Sequence, residues 1–287
     1  MDKNLSEKIN ELMPDFSKGQ KKIAQFILQH AEKAAFMTAF TLGNNVGVSE
    51  STVVRFAEKL GYDGYPELQL ALQEYIKGKL TSVQRIELSS TIINEDNILK
   101  NVLQLDMERI KKTLEEIDVD IFNTIIDQIL KAKRIYIIGI RSSAALADFL
   151  GFYLNMILDN VKIVSTSGIS DIFEQVFRIT KDDVIIGISF PRYSKRTIRV
   201  LQYAKDQEAK VISLTDSISS PLCKYSDHVL LCRSDMVSFA DSLVAPLSVI
   251  NAIIVAIGLK KRDDLAKSFD KLEQIWDEYQ VYQKDNK

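Results

Sequence analysis

Cysteine and histidine are scarce in this chain, and their scarcity excludes most metal and nucleophile chemistry. Its 287 residues hold two cysteines, Cys223 and Cys232, and two histidines, His30 and His228. Neither pair has metal-type spacing, and no Ser-His-Asp or Cys-His set can be assembled, so no metal site is expected. Such sparing use of cysteine suits a reducing cytosol. Phosphate-cradling glycine motifs are missing as well: there is no P-loop and no GxGxxG. No cofactor is expected. No basic, apolar leader opens the chain, so secretion is not expected and a cytoplasmic location is. A long membrane-type run is also lacking. Ser242 to Leu259 carries no charge for 18 residues, but Pro246, Ser248, Asn251 and Gly258 interrupt it. It falls short of the roughly 20 predominantly apolar residues of a span. A buried helix is the expected state, and no membrane partner.

A surplus of positive charge is absent too. The formal net charge is −2, and residues 1–78 hold nine Lys or Arg against ten Asp or Glu. Locally the balance changes. Between Ser17 and Leu60 six basic residues (Lys18, Lys21, Lys22, Lys33, Arg55, Lys59) face three acids (Glu32, Glu50, Glu58). Contact with DNA needs a basic face and not a basic protein.

Within that stretch, residues Ala39 to Glu58 read as a helix-turn-helix. Two short helices that cross closely need a small residue midway along the first, and Gly43 is there. The turn between them needs a left-handed residue, and Gly47 is there. Leu42, Val46, Val48, Val53 and Phe56 supply the packing positions. Ser49 is placed to cap the second helix. Glu50, Ser51, Thr52 and Arg55 then lie on or near its open face, with Lys59 one turn on, and together with Ser49 they are the candidate DNA contacts. Around the motif, Leu5–Met13 is a short amphipathic stretch ended by Pro14. Ser17 caps a helix through about His30, with Ile23, Phe26 and Ile27 on one face. Gly61 ends the recognition helix, and a last helix runs from Glu67 to about Ile76.

The expected domains are a helix-turn-helix domain over 1–78, a connector over 79–118 and an α/β domain over 119–287. The connector shows no strong signal to Asn94. From about Asn97 a helix carries Leu99, Leu103, Met107, Ile110, Leu114 and Ile117 at spacings of three and four. That stripe is expected to pack on the second domain; pairing with a partner's helix is the other reading. From Val119 the pattern alternates between helix and strand. Apolar runs at Arg134–Gly139, Val161–Ser165, Val184–Ser189, Lys210–Thr215 and His228–Cys232 are separated by helical patterns at Ala144–Leu158, Ile169–Ile179, Arg196–Gln207 and Ser219–Tyr225. Ser242–Gly258 and Asp263–Tyr282 add closing helices. Strands continuous in Val, Ile and Leu, interleaved with helices, indicate a five-stranded parallel sheet covered on both faces.

Ligands of such sheets bind outside the carboxyl ends of the strands. Three of those ends are rich in hydroxyls. One offers Arg141, Ser142 and Ser143 at a helix start, a plausible oxyanion pocket. The second offers Ser189, Pro191, Arg192, Tyr193, Ser194, Lys195, Arg196 and Thr197. The third offers Thr215, Asp216, Ser217, Ser219 and Ser220. Plain helix capping explains any one of these hydroxyls; arginines among them favour an anion site. For isomerisation of a sugar, Glu174 and His228 are the only bases that can be named near strand ends.

On these residues the chain resembles the RpiR/MurR family of bacterial transcription regulators. Phe16 to Ile76 look like its N-terminal domain, above all Gly47–Val48–Ser49–Glu50–Ser51–Thr52–Val53–Val54–Arg55–Phe56 followed by Lys59–Leu60–Gly61–Tyr62. The part from about Val119 looks like a sugar-isomerase (SIS) domain. Asp182–Asp183–Val184 leading to Ser189, the helix Thr197–Ala204, and Thr215–Asp216–Ser217 to Ser220–Pro221–Leu222 carry that match. The resemblance implies a homodimer or homotetramer that binds a double-stranded operator, an inverted repeat, and is controlled by a phosphosugar. Arg141, Ser142, Ser143, Ser189, Arg192, Ser194, Thr215 and Ser220 are the candidate ligand residues. Many SIS domains carry Ser-x-Ser-Gly-x-Thr/Ser after the central strand. Here Ser189 and Ser194 keep its ends, while Pro191 and Arg192 stand where the second serine and the glycine would be. A guanidinium can substitute for lost amide donors. Two other readings stay open: a phosphosugar isomerase with an added helical domain, and an interaction protein that has lost DNA binding.

Overall fold

The computed structural model describes residues 5–76, 81, 83–86, 97–164, 169–234 and 240–281. Ser165, expected to end a strand, Tyr282, expected to end the last helix, and the segment around Asn94 lie outside them. The chain divides into two compact units, Met1–Arg85 and Ile86–Lys287.

The first unit is helical: α1 (Leu5–Leu12), α2 (Lys18–Gln29), α3 (Ala31–Ala34), α4 (Ala39–Val46), α5 (Glu50–Lys59) and α6 (Tyr65–Ile76). Its boundaries follow from capping chemistry. Ser17 and Gln20 form a reciprocal capping box at the start of α2, which satisfies two orphan donors at once. Thr38 and Ser49 accept from Thr41 N and Thr52 N to open α4 and α5. Helix α6 begins two residues before the expected Glu67, because Pro66 is tolerated in a first turn. Ile9, Ile23, Ile27, Leu42, Val53, Phe56, Leu68 and Leu72 form the core. The rings of Phe16 and Phe56 lie 5.1 Å apart within it.

The second unit contains β1 (Ile135–Gly139), β2 (Val161–Ile163), β3 (Val184–Ile188), β4 (Lys210–Thr215) and β5 (His228–Leu231), in the order β2-β1-β3-β4-β5. All four pairings are parallel. Its helices are α7 (Ile98–Glu116), α8 (Val119–Lys131), α9 (Ser142–Ile157), α10 (Ile169–Val176), α11 (Lys195–Asp206), α12 (Val244–Lys260) and α13 (Arg262–Glu278). Alternate strand residues serve opposite faces. Ile135, Ile137, Val184, Ile186, Ile212 and Leu214 pack against α8, α9 and α12. Tyr136, Ile138, Ile185 and Val211 pack against α10 and α11. Both faces are covered, as the continuous apolar strands require. No single described helix is long and apolar enough to cross a membrane.

The two central strands are pinned where they start. Asp183 is fully buried. It accepts from Arg134 Nε at 3.1 Å and Nη2 at 3.0 Å, and from Thr180 N at 2.7 Å and Oγ1 at 2.9 Å. A buried carboxylate is tolerated when its lone pairs are met in this way. With the starts fixed, Gly139 pairs with Ile188 and the carboxyl ends of β1 and β3 come side by side.

Two expectations fail here. Ser219–Tyr225 is not an α-helix; only a 3-10 turn forms, at Cys223–Tyr225. Hydroxyls compete for the backbone in this segment: Ser217 Oγ accepts from Ser219 N at 3.2 Å and Ser220 Oγ from Leu222 N at 3.4 Å. Helix α7 does pack on the α/β unit, but with its polar side. Arg109 is 5% exposed, whereas Leu99, Leu103, Met107 and Leu114 are 73%, 54%, 69% and 74% exposed. Burial of Arg109 is possible because Asp106 holds its Nη1 at 2.9 Å. Ser242 Oγ donates to the same Asp106 oxygen at 2.7 Å, and Thr113 Oγ1 accepts from Arg233 N at 2.9 Å.

Candidate functional site

The helix-turn-helix depends on close approach at one glycine and an unusual backbone at another. A Cβ on Gly43 would stand 2.8 Å from the Val48 carbonyl oxygen. Gly47 adopts φ 69, ψ 48, the left-handed region, which costs glycine little. The turn sets α5 with Val53, Phe56 and Ala57 inward. Glu50, Ser51, Arg55 and Lys59 are exposed and Thr52 is half-buried.

Three of these side chains are less open than their spacing suggests. Ser49 Oγ, besides capping α5, bonds Ser51 Oγ at 2.9 Å and Thr52 Oγ1 at 2.8 Å. The Thr52 methyl lies 3.3 Å from where a Cβ on Gly19 would stand, so it packs on the start of α2. Lys59 turns back: its Nζ donates to the Asp15 carbonyl and lies 5.7 Å from the centre of the Phe16 ring. The Arg55 side chain has no hydrogen bond or ion pair to any described residue. Lys22 Nζ stands 3.9 Å from the Cβ position of Gly47, which adds a cation beside the turn.

In the α/β unit a cavity of about 420 Å³ opens where β1 and β3 end, within the size range of small-molecule sites. Arg141, Ser142, Ser143, Ser189, Arg192 and Ser194 all line it. Lys195, Arg196 and Asp241 complete its polar wall. Thr215 and Ser220 do not line it. They are buried and bonded to each other at 2.9 Å, so these two hydroxyls satisfy each other inside the unit.

Two helices start at this cavity, and their starts differ. At α11, Ser194 Oγ accepts from Thr197 N at 3.3 Å, and Ser189 Oγ accepts from Ser194 N at 3.1 Å. The loop that follows β3 is therefore engaged with itself. At α9 no side chain caps the helix. Ser143 is 4% exposed, and its hydroxyl bonds to no described residue. Arg141 beside it is exposed and makes no ion pair with a described residue. Gly139 allows this arrangement, since a Cβ there would meet the Ser143 carbonyl oxygen at 2.2 Å. Amide donors at a helix start, with an arginine next to them, are the groups an anion site uses.

The backbone around the cavity is strained. Arg141 has φ 62, ψ −126 and Arg192 has φ 66. Beyond Arg192, the Tyr193 hydroxyl donates to Asp216 Oδ1 at 2.8 Å. Neither Glu174 nor His228 reaches the cavity. His228 begins β5 and bonds Gln128 Nε2 at 2.8 Å. Sequence reasoning missed Asp241 altogether; it follows a long stretch with no regular pattern. Cys232 is fully buried, which pushes its thiol well above the usual range.

Comparison with known proteins follows the same division. Residues 3–79 match the model of the helix-turn-helix domain of the rpiR family, and residues 128–256 match that of the SIS domain. An HTH-type transcriptional regulator of Haemophilus influenzae is 26% identical over 230 residues, 79% of each chain. One of Clostridium perfringens is 28% identical over 229 residues, 76% of this chain and 77% of the relative. Among solved structures, the sugar isomerase domain of an RpiR transcription factor from Sphaerobacter thermophilus superposes with a TM-score of 0.57 at 24% identity, covering 60% of this chain and 96% of that one. The Vibrio vulnificus NanR protein, solved with ManNAc-6P, superposes with a TM-score of 0.56 at 22% identity, covering 95% and 98%.

Proposed function

The chain belongs to the RpiR family of helix-turn-helix transcriptional regulators with a SIS domain, and from that premise we propose that it binds a specific operator through α5 and is controlled by a phosphosugar held between β1 and β3. The observation that carries the effector half is the uncapped start of α9 with the buried, unpartnered Ser143 and the adjacent Arg141. The phosphate is held there, by Arg141, Ser142 and Ser143. Ser189 and Ser194 keep the opposite loop in shape. The complex of Vibrio NanR with ManNAc-6P supports this ligand class by analogy.

The protein senses the sugar and does not convert it. Moving a proton between neighbouring carbons needs a placed base. Asp241 is the one carboxylate among the described residues of the cavity wall, and the HTH-type transcriptional regulators that resemble this chain support sensing over conversion.

It acts in the cytoplasm as a homodimer or larger assembly on an inverted repeat. One recognition helix reads too few base pairs for a unique site, and two-fold symmetry is the common solution. The exposed apolar side of α7 is the surface suited to that pairing. Binding is coupled to it by a short connection. Asp241 lines the cavity, and its neighbour Ser242 bonds Asp106 on α7. A ligand that favours one position of residues 240–243 thereby favours one position of α7.

Selection of bound fragments from random DNA, repeated with a panel of sugar phosphates, tests the proposal. A palindromic site whose recovery changes with one sugar phosphate is expected. Fragments without a common site, or a site indifferent to every sugar phosphate, would overturn it.

A further inference from the structure

We infer that α2 is a second DNA-contacting element: Lys18 and Lys22 hold backbone phosphates on one side of the groove that α5 enters. The inference rests on the operator-binding reading above and names the residues that orient α5 on the duplex.

The recognition helix is poor in usable positive charge. Glu50 and Glu58 on α5 stand against Arg55 and Lys59, and the Lys59 ammonium is turned onto the Asp15 carbonyl and the Phe16 ring. Arg55 is left as the outward cation of the helix, between two exposed acids. Helix α4, the other half of the motif, carries no lysine or arginine. Base contacts specify a site, but phosphate contacts supply much of the affinity and set the orientation. In this unit they have to come from an element beside α4 and α5.

Helix α2 packs on both. It carries Lys18, Lys21 and Lys22 and no acidic residue. Its first turn lies on the start of α5: the Thr52 methyl and Val48 Cγ1 stand 3.3 and 3.4 Å from the Cβ position of Gly19. One turn on from Gly19, Lys22 reaches the turn between α4 and α5, with its Nζ 3.9 Å from the Cβ position of Gly47. Lys18 is four residues before Lys22 and shares its side of the helix. Lys21, two residues from Gly19, falls on nearly the opposite side, away from α5. All three lysines are exposed, and their side chains make no hydrogen bond or ion pair with a described residue.

This placement works against α2 itself. The first turn of a helix favours acids and disfavours cations, yet Lys18 is the first residue of α2. The Ser17–Gln20 capping box already engages that end of the helix, so the ammonium groups, and not the helix start, offer the contact. Cations held there without an acid on their own helix suit an anion from outside. Beside a recognition helix that anion is the sugar-phosphate backbone, which lysine meets as a point charge on a flexible stem.

The test is binding of the full-length protein to a labelled duplex of mixed sequence, long enough for two half-sites, followed by fluorescence anisotropy from about 50 to 200 mM salt. Each phosphate contact contributes about 0.9 to the slope of log affinity against log salt. In Lys18→Ala and in Lys22→Ala the slope should become shallower by about 0.9 per bound subunit, and in the double variant by about 1.8. Lys22→Arg keeps the charge and should keep the wild-type slope. Lys21→Ala removes the same charge from the other side of the same helix and should change the slope less than half as much. Alanine is the best helix former and all three side chains are exposed, so melting should be that of the wild type throughout. A wild-type slope in the double variant, or an equal change in Lys21→Ala, would overturn the inference while leaving operator binding standing. Absence of any binding by the wild type at the lowest salt and about 0.1 mM protein would remove the operator reading itself.

Discussion

The Tyr193 hydroxyl and the Asp216 carboxylate, 2.8 Å apart, tie the loop after β3 to the end of β4. Asp216 is buried, so the bond is made away from water and is strong for its kind. Tyr193→Phe should cost about 1–3 kcal/mol of stability, the range for leaving a buried acceptor unsatisfied. Because Arg192 is the neighbouring residue, effector affinity should fall by roughly threefold to tenfold, up to about 1.4 kcal/mol. DNA binding without effector should be unchanged. Thermal unfolding, calorimetry and a gel-shift titration read the three quantities separately. Unaltered effector affinity would show that the loop needs no such tie.

On α5 the expectation separates three side chains. Arg55→Ala should weaken operator binding by about 1–3 kcal/mol, the worth of an arginine on a guanine edge, and leave melting unchanged. Phe56→Ala should cost about 3–5 kcal/mol of stability, because the ring is fully buried. Ser51→Ala should change stability little and DNA binding measurably. If Ser51→Ala and Phe56→Ala exchange these effects, the helix presents another side to DNA.

The exposed stripe of α7 predicts its own disruption. Leu103 and Leu114 touch solvent over more than half their surface, so charging them leaves the core alone. Leu103→Asp combined with Leu114→Asp should convert the assembly to monomers in sedimentation, with an intact circular dichroism spectrum. An unchanged sedimentation coefficient would place the subunit contact elsewhere.

Ser242→Ala removes the bond between the segment that carries Asp241 and Asp106 on α7. Effector affinity should stay within about twofold, under 0.5 kcal/mol. The change that effector causes in operator affinity should shrink several-fold. A full response in this variant would show that the signal takes another route.

Alkali should loosen the helical unit through Tyr65. Its hydroxyl donates to the Met37 carbonyl at 2.7 Å and the Ala34 carbonyl at 3.3 Å, and burial pushes its pKa up to about 12. An unfolded tyrosine ionises near pH 10. The folded value is the higher, so the contribution is whole below about pH 10 and is lost as pH rises to about 12. Melting temperature followed across that window should fall more steeply for the wild type than for Tyr65→Phe. Parallel slopes would rule out Tyr65 as the cause.

Fold class was readable because each level of the sequence agreed with the next. Short apolar runs such as Ile135–Ile138, interleaved with helical patterns, read as buried strands, and Ser17, Ser49 and Gly47 mark helix ends by chemistry that acts locally. The cavity was readable in part: the hydroxyls and arginines at the ends of two strands do line one cavity, while the pairing of β1 with β3 that brings Ser143 and Ser189 together was not in the sequence pattern. Three things were hidden. Periodicity finds the apolar side of α7 but not which side the protein covers, and the Asp106–Arg109 pair lets the polar side be covered. Hydroxyls at a strand end look alike in sequence, whether they line a cavity, as Ser143 does, or satisfy each other, as Thr215 and Ser220 do. Lys59 has the spacing of a DNA contact, yet the ring of Phe16 and the carbonyl of Asp15 lie closer to hand.

Every strand of the sheet is parallel to its neighbours, and this bears on the order in which the protein comes into being. Parallel partners cannot close through a hairpin; each waits for the helix between them. Ile135 needs Val161 on one side and Val184 on the other. The helical unit has no such wait, because α4 and α5 meet across the short turn at Gly47. Chains rich in local contacts fold faster than those built on distant pairings, and this local unit also leaves the ribosome first. The wall of the cavity draws on residues from Ile140 to Asp241. A growing chain therefore completes its recognition helix well before it has anywhere to hold an effector.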